Sequence, residues 1–344
     1  MREKDLLRLA RFLSLAVLLH TLVCPFPAWL DDENRPYTPL SRLDLDGYLS
    51  DRLPGRKKLL ALARDRALLL AQNEFGGAIC GKDGCLFSIP QTDQETLQNN
   101  LAFLSAYAKR RKTPLCTVLI PNKAEVMTAK LPRFFTCDRL PLWETAAHAD
   151  VGFLDVRPIL RASAGAGKYV YYRGDHHLTA LGAYTVYKSL EGPLGYTAAP
   201  LTNVQVLDAD FAGSEARKML LRTGDRLAIS RFDGDEKVYR LDAVKSDDPY
   251  GVLPGYLCGY TRIDLGKGKK MLLFCDSFGC AAAPYLCRHF DIDMVDLRYI
   301  DRDTLLRIGE QNYDIILAYF GMDTLAGYEL FYKINEKESE YGTT

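Results

Sequence analysis

Lys270-Met271-Leu272-Leu273-Phe274-Cys275-Asp276-Ser277-Phe278-Gly279 is the stretch on which the fold turns. Met271–Cys275 is a short continuous apolar run that stops at Asp-Ser, and a helical pattern follows from about Gly279 to His289. A strand with no polar alternation has both faces buried, which is the habit of parallel sheets covered by helices. Working outward, Leu115–Ile120 (closed by Pro121-Asn122), Val151–Val156, Ile292–Leu297 and Tyr313–Phe320 carry the same signature. Between them, 94–111 repeats Leu97, Leu101, Leu104 and Ala108 at helical spacing, and Thr179–Leu190 and 301–311 read as further helices. Strands alternating with helices predict an α/β domain with a parallel central sheet. Residues 203–262 break the alternation with shorter β-like patterning and Gly and Asp turns, and are expected to be an inserted β-rich segment rather than a second domain.

The chain has 344 residues, 44 basic and 44 acidic side chains, and 48% apolar residues. A zero net charge argues against a nucleic-acid partner, which calls for a basic excess to neutralise phosphates. Arg2, Lys4, Arg8 and Arg11 precede an apolar run from Phe12 to Leu30 with no clear cleavage site. That arrangement predicts a signal anchor over 1–30, with everything after it outside the cytoplasm. Residues 31–60, charged and Pro-bearing, are expected to be a membrane-proximal linker. A main domain at 61–335 and a C-terminal tail at 336–344 complete the division. Of nine cysteines, Cys116, Cys275 and Cys287 sit in apolar periodic segments and read as small buried hydrophobes. Cys80 and Cys85 flank a Gly-Lys-Asp-Gly turn, which leaves a cross-hairpin disulfide open. The spacings fit no zinc motif.

Two segments can carry chemistry. Tyr171-Tyr172-Arg173-Gly174-Asp175-His176-His177-Leu178-Thr179 lies directly before a helix. A carboxylate two residues from an imidazole can accept from Nδ1–H, fix the tautomer and leave Nε2 as a general base. Asp175 and Thr179 could equally be turn and cap residues. Ser277 stands at a strand-to-helix junction, at the carboxyl end of a strand, where ligands bind in open α/β sheets. There the backbone amides of a helix start face a developing oxyanion, although an N-cap serine explains the same position. Together the segments hold Asp, His and Ser, and a triad is defined by geometry rather than chain order.

These motifs, taken in order, resemble those of the DHHW family of bacterial surface proteins, related to the alginate O-acetyltransferases. The matching stretches are Gly81–Phe87, Leu119-Ile120-Pro121-Asn122-Lys123, Leu131-Pro132, Asp175–Thr179 with Gly182-Ala183-Tyr184, and Phe211-Ala212-Gly213-Ser214. They continue through Asp276-Ser277-Phe278, Pro284, Asp296-Leu297-Arg298-Tyr299 and the strand at 313–320. The resemblance implies an SGNH-hydrolase-like three-layer fold, Ser277 as nucleophile, His177 as base and Asp175 as its orienting partner. It implies that His176 faces the other way and, with Thr179, has a structural part. Gly321, Arg298, Tyr299 and Asp276 are the candidates for oxyanion or substrate contacts. This chain departs from the family at Leu178 and Cys85, where the family has Trp. It also departs at Phe320-Gly321-Met322-Asp323, which lacks the Asn that related hydrolases use as an oxyanion donor.

The expected function is extracytoplasmic O-acetyl transfer to hydroxyls of a cell-surface polysaccharide through an acyl-serine. No metal or cofactor is expected, and no Gly-rich loop is present for coenzyme A. A multi-span membrane O-acyltransferase is the partner that the resemblance implies as acetyl donor. A carbohydrate esterase with the same triad and a non-catalytic cell-envelope assembly protein are the competing readings. The expected location is the cell membrane, held by a single pass.

Overall fold

The computed structural model describes residues 44–133, 135–246 and 248–334, with scattered positions before residue 40. The expected anchor at 1–30 falls almost entirely, and the tail at 336–344 entirely, outside them. Among the described residues no helix is long and apolar enough to cross a membrane.

Six strands form the central sheet: β1 (Leu115–Ile120), β2 (Phe153–Asp155), β3 (Tyr260–Ile263), β4 (Lys270–Cys275), β5 (Asp291–Val295) and β6 (Ile315–Gly321). Their order is β3-β5-β4-β6-β1-β2. Every neighbouring pair is parallel except β3 with β5, which is antiparallel. The sheet is therefore mixed, a correction to the parallel sheet expected. Only residues 264–269 link β3 to β4, whereas a parallel return needs a crossover of a dozen residues or more. The incoming strand can only reverse direction at the edge.

Side chains alternate between two buried faces, which is why these strands read as unbroken apolar runs. Leu272 and Phe274 point to the layer of α1 (Gln94–Arg111), α2 (Leu140–His148) and α6 (Arg302–Gly309), among Leu97, Leu101, Leu104, Trp143 and Ile308. Met271, Leu273 and Cys275 point to the layer of α3 (Arg157–Gly165), α4 (Ala180–Ser189) and α5 (Ser277–Leu286), among Leu160, Val186, Tyr187 and Leu286. Each large apolar side chain so buried stabilises the fold by about 1.5–3 kcal/mol. Local signals agree with the packing. The α1 helix opens on Asp93, whose carboxylate accepts from the Thr96 amide, and closes on Lys109, Arg110 and Arg111 at the negative end of its dipole.

Position 60, drawn as the end of the linker, lies inside a helix, Arg56–Leu69. The 203–262 segment folds as a hairpin of Val204–Phe211 against Asp225–Ser230, then as short 3-10 turns, and ends in β3. Its last strand thus completes the main sheet. The eight described cysteines are free thiols. In the small hairpin Cys80 pairs with Leu86, not with Cys85.

Candidate active site

The loop that carries Asp175 is closed at its base before any side chain acts. Tyr171 and Leu178 form an isolated antiparallel bridge, and the Thr179 amide donates to the Val170 carbonyl at 3.0 Å. Thr179 then caps α4 by accepting from the Gly182 amide at 3.1 Å. Within the loop, Asp175 Oδ1 accepts from the His177 backbone amide at 2.8 Å and faces His177 Nδ1 at 2.5 Å. One oxygen thus sets both the backbone turn and the imidazole tautomer. Its Oδ2 accepts from the Ser214 amide at 2.7 Å. Gly213 is required for that approach, since a Cβ there would lie 2.2 Å from the Asp175 Cβ. Burial pushes the Asp175 carboxyl up, but the charges of His177 and His176 and these hydrogen bonds outweigh it and hold it well below the usual carboxylate range.

Ser277 arrives from the other side of the chain. It is the first residue of α5, with Asp276 as N-cap accepting from the Phe278 amide at 2.9 Å. Its Oγ lies 2.7 Å from His177 Nε2. Asp175, His177 and Ser277 therefore form one continuous hydrogen-bonded relay at the carboxyl end of β4. Asp175 and His177 are buried, and Ser277 opens into a cavity of about 510 Å³.

Several elements hold this relay in place. The Lys123 ammonium, buried beneath the loop, donates to the carbonyls of Tyr172, Arg173 and Asp175 at 3.0, 2.9 and 2.9 Å. Its three donors meet three acceptors of the one loop, which answers the desolvation that lowers its pKa. Asp225, from the inserted hairpin, accepts from the Arg173 and Gly174 amides at 2.9 and 2.7 Å. Tyr250, also from the insertion, stacks on the His177 ring at 4.2 Å between centroids and 20° between planes. Leu178 is buried in the core, so the aromatic face on the histidine comes from a distant segment.

His176 does not turn away from its neighbour. The two imidazoles lie 4.0 Å apart between centroids, and His176 lines the cavity beside Ser277. Its Nδ1 is 3.0 Å from Ser214 Oγ and 3.5 Å from buried Glu215, whose Oε1 accepts from Ser88 Oγ at 2.6 Å. Desolvation works against charge on His176, but Asp175 and Glu215 prevail and raise its pKa to about 9, from 6.5. A pKa raised on folding means that this stabilisation is complete below about pH 6.5 and is lost as pH rises through about 9. The melting temperature of wild type is accordingly expected to fall across that window by more than that of His176→Gln. Parallel curves for the two proteins would contradict the ion pair.

The remaining expected residues are placed as follows. The Gly321 amide is donated to Asp276 Oδ2 at 2.9 Å, so it is committed to the cap rather than turned to the cavity. Asp276 is buried in that cap. Arg298 lines the cavity while its guanidinium grips Asp296 with two parallel bonds of 3.0 and 2.7 Å. Tyr299 lies outside the cavity wall, exposed, with the Arg298 guanidinium carbon 5.2 Å from its ring centroid. Asn122, after β1, brings a side-chain amide to the cavity and donates to the Ser88 carbonyl at 3.0 Å and to Asp323 Oδ2 at 2.5 Å. Asp175, His176 and His177 are the residues, among those described, whose ligand atoms converge within 4.8 Å as a metal site would require. Asp175 Oδ1, His177 Nδ1 and His176 Nδ1 are engaged in the hydrogen bonds given above. The insertion also supplies Ser214, Glu215, Asp225 and Tyr250. Gly213-Ser214 stood among the matching motifs, whereas Tyr250 carried no sequence signal.

Fold and constellation together define an α/β domain with a serine-histidine-aspartate site at the carboxyl end of its sheet. Residues 78–211, less than half of the chain, match the family model described as the SGNH hydrolase-like domain of the acetyltransferase AlgX. No curated protein matches the chain. Among solved structures, a DHHW family protein from Eubacterium siraeum superposes with a TM-score of 0.57 at 18% identity, over 76% of this chain and 96% of that one. Bacillus cereus PatB1 superposes with 0.57 at 18% identity, over 72% and 96%, and the same protein with a sulfonyl adduct with 0.58, 18%, 72% and 97%. The resemblance read from the motifs is borne out by these comparisons, which at such identity speak for the fold.

Proposed function

We propose that this chain is an O-acetyltransferase that moves acetyl groups to hydroxyls of a cell-surface polysaccharide by way of an acyl-Ser277. The observation that carries the reading is the unbroken relay from Asp175 through His177 to Ser277, opening into a cavity large enough for a sugar unit. In the first half, Ser277 Oγ–H passes its proton to His177 Nε2 as Oγ bonds to the acyl carbon. The donor's oxygen leaves with that proton. In the second half, His177 takes the proton of a sugar hydroxyl, whose oxygen attacks the acyl carbon and releases Ser277. Asp175 stays ionised throughout and steadies the imidazolium. The positive end of α5, at Ser277, lies where the oxyanion develops in both halves.

The assembled site favours catalysis over a purely structural role, because a buried Asp-His pair aligned on a serine has no packing purpose that apolar residues would not serve better. Placement outside the cytoplasm, at the membrane, is part of the proposal and is supported by the four basic residues ahead of the Phe12–Leu30 run. A multi-span membrane acyltransferase remains the proposed acetyl source. The test is turnover of an acetyl ester chromogen by the purified chain, with and without oligosaccharides released from cell-surface polymers. Acetyl found on the sugar supports transfer, acetate alone supports the esterase, and neither turnover nor acyl labelling of Ser277 would overturn both.

A further inference from the structure

The helix Arg56–Leu69 is assembled against its own local rules. Its first turn holds Arg56, Lys57 and Lys58 and no acid, which sets three cations at the positive end of the dipole. Its N-cap, Gly55, offers no side chain to the free amides. Ala67 and Leu68 pack inward, but other apolar side chains are left outside. Leu59, Leu62 and Leu69, with Leu70 just beyond the end, are 50%, 67%, 87% and 60% exposed, while Arg64 is buried. At helical spacing Leu59, Leu62, Arg66 and Leu69 share one outward stripe, with Lys58 on its flank. On the inward side Arg64 Nη1 donates to the carbonyls of Met219 and Leu220 at 2.9 and 2.6 Å. Those carbonyls end the helix Ser214–Met219, whose first amide holds Asp175.

We propose that this stripe is a docking surface for an anionic lipid bilayer, with the leucines in the headgroup boundary and Lys58 and Arg66 against lipid phosphates. An anionic surface meets Lys58 and Arg66, covers the leucines, and lets long basic side chains lie along the boundary. A second copy of the chain fits less well, since a two-fold pairing would bring Lys58 and Arg66 against basic residues of the same face. The apolar run Phe12–Leu30 precedes the helix in the chain, so both apolar features lie toward the N-terminal end of the sequence. Through Arg64 the docked helix sets how the catalytic loop stands relative to the membrane. The inference does not depend on the reaction proposed above.

The full-length chain carrying Leu62→Trp tests it in phosphatidylglycerol/phosphatidylcholine vesicles with bromine on the upper acyl carbons. The unsubstituted protein, with its Trp29 and Trp143, supplies the background. The added tryptophan is expected to shift to the blue, to be quenched by the brominated lipid, and to lose most of its access to aqueous iodide. High salt, neutral lipid or the added pair Lys58→Glu and Arg66→Glu should restore that access several-fold, because the attraction is screened or reversed. Unchanged iodide access on vesicles that carry the protein would overturn the proposal. So would a blue shift that needs no lipid and grows with protein concentration, which would assign the face to a second copy.

Discussion

Ser277→Ala is expected to lower acetyl-ester turnover by about 10⁴-fold or more, because triad members act as a unit. The substitution removes the Oγ that stands 2.7 Å from His177 Nε2 and little else. Ser277 opens α5, whose cap is made by Asp276, so the helix start survives the loss of the hydroxyl. The expected result is an intact fold with an unchanged melting temperature and no covalent labelling by a sulfonyl fluoride. Labelling that persists in Ser277→Ala would show that another residue is the nucleophile.

His177→Ala is expected to be nearly as damaging, and far more so than His176→Ala. Both imidazoles border the site, yet they meet different partners. His177 bridges Asp175 and Ser277, so its removal leaves the serine without a proton acceptor, a function worth roughly 10²–10⁴-fold even alone. His176 reaches Ser214 and Glu215 instead. Its loss weakens the support of Asp175 without breaking the relay, and most of the turnover should remain. Equal losses of kcat in both variants, at equal melting temperatures, would refute the assignment of the base.

Much of this site could be read before any coordinates. Asp175, His177 and Ser277 stand in short ordered motifs, each at a junction of elements that hydrophobic periodicity places well. The strand Leu115–Ile120 and the helix 94–111 were legible for the same reason, since burial on one or two faces writes a period into the chain. The antiparallel edge strand was not legible. Four residues such as Tyr260–Ile263 carry no sign of direction, and what decides it is the shortness of 264–269 together with the neighbour that the strand finds in space. Asp225 and Tyr250 were hidden because no motif surrounds them, and Glu215, although it follows the Gly213-Ser214 motif, carried no signal of its own.

By itself the sequence determined the alternation of apolar strands and helices, and with it the loops that must lie at the carboxyl ends of the strands. It also determined the chemistry available in those loops: a carboxylate two residues from an imidazole, and a serine that opens a helix. Local patterns suffice for both, because they depend on what a few neighbouring residues can bury or donate. Only the tertiary structure decided which groups meet. It brought Ser277 to His177 across 100 positions of chain, placed the Lys123 ammonium under three loop carbonyls, and committed the Gly321 amide to Asp276. It also turned His176 toward the cavity and laid Tyr250 on the His177 ring. Those outcomes follow from packing two helical layers and an insertion around one sheet, where each contact depends on residues far apart in sequence and no local period records it.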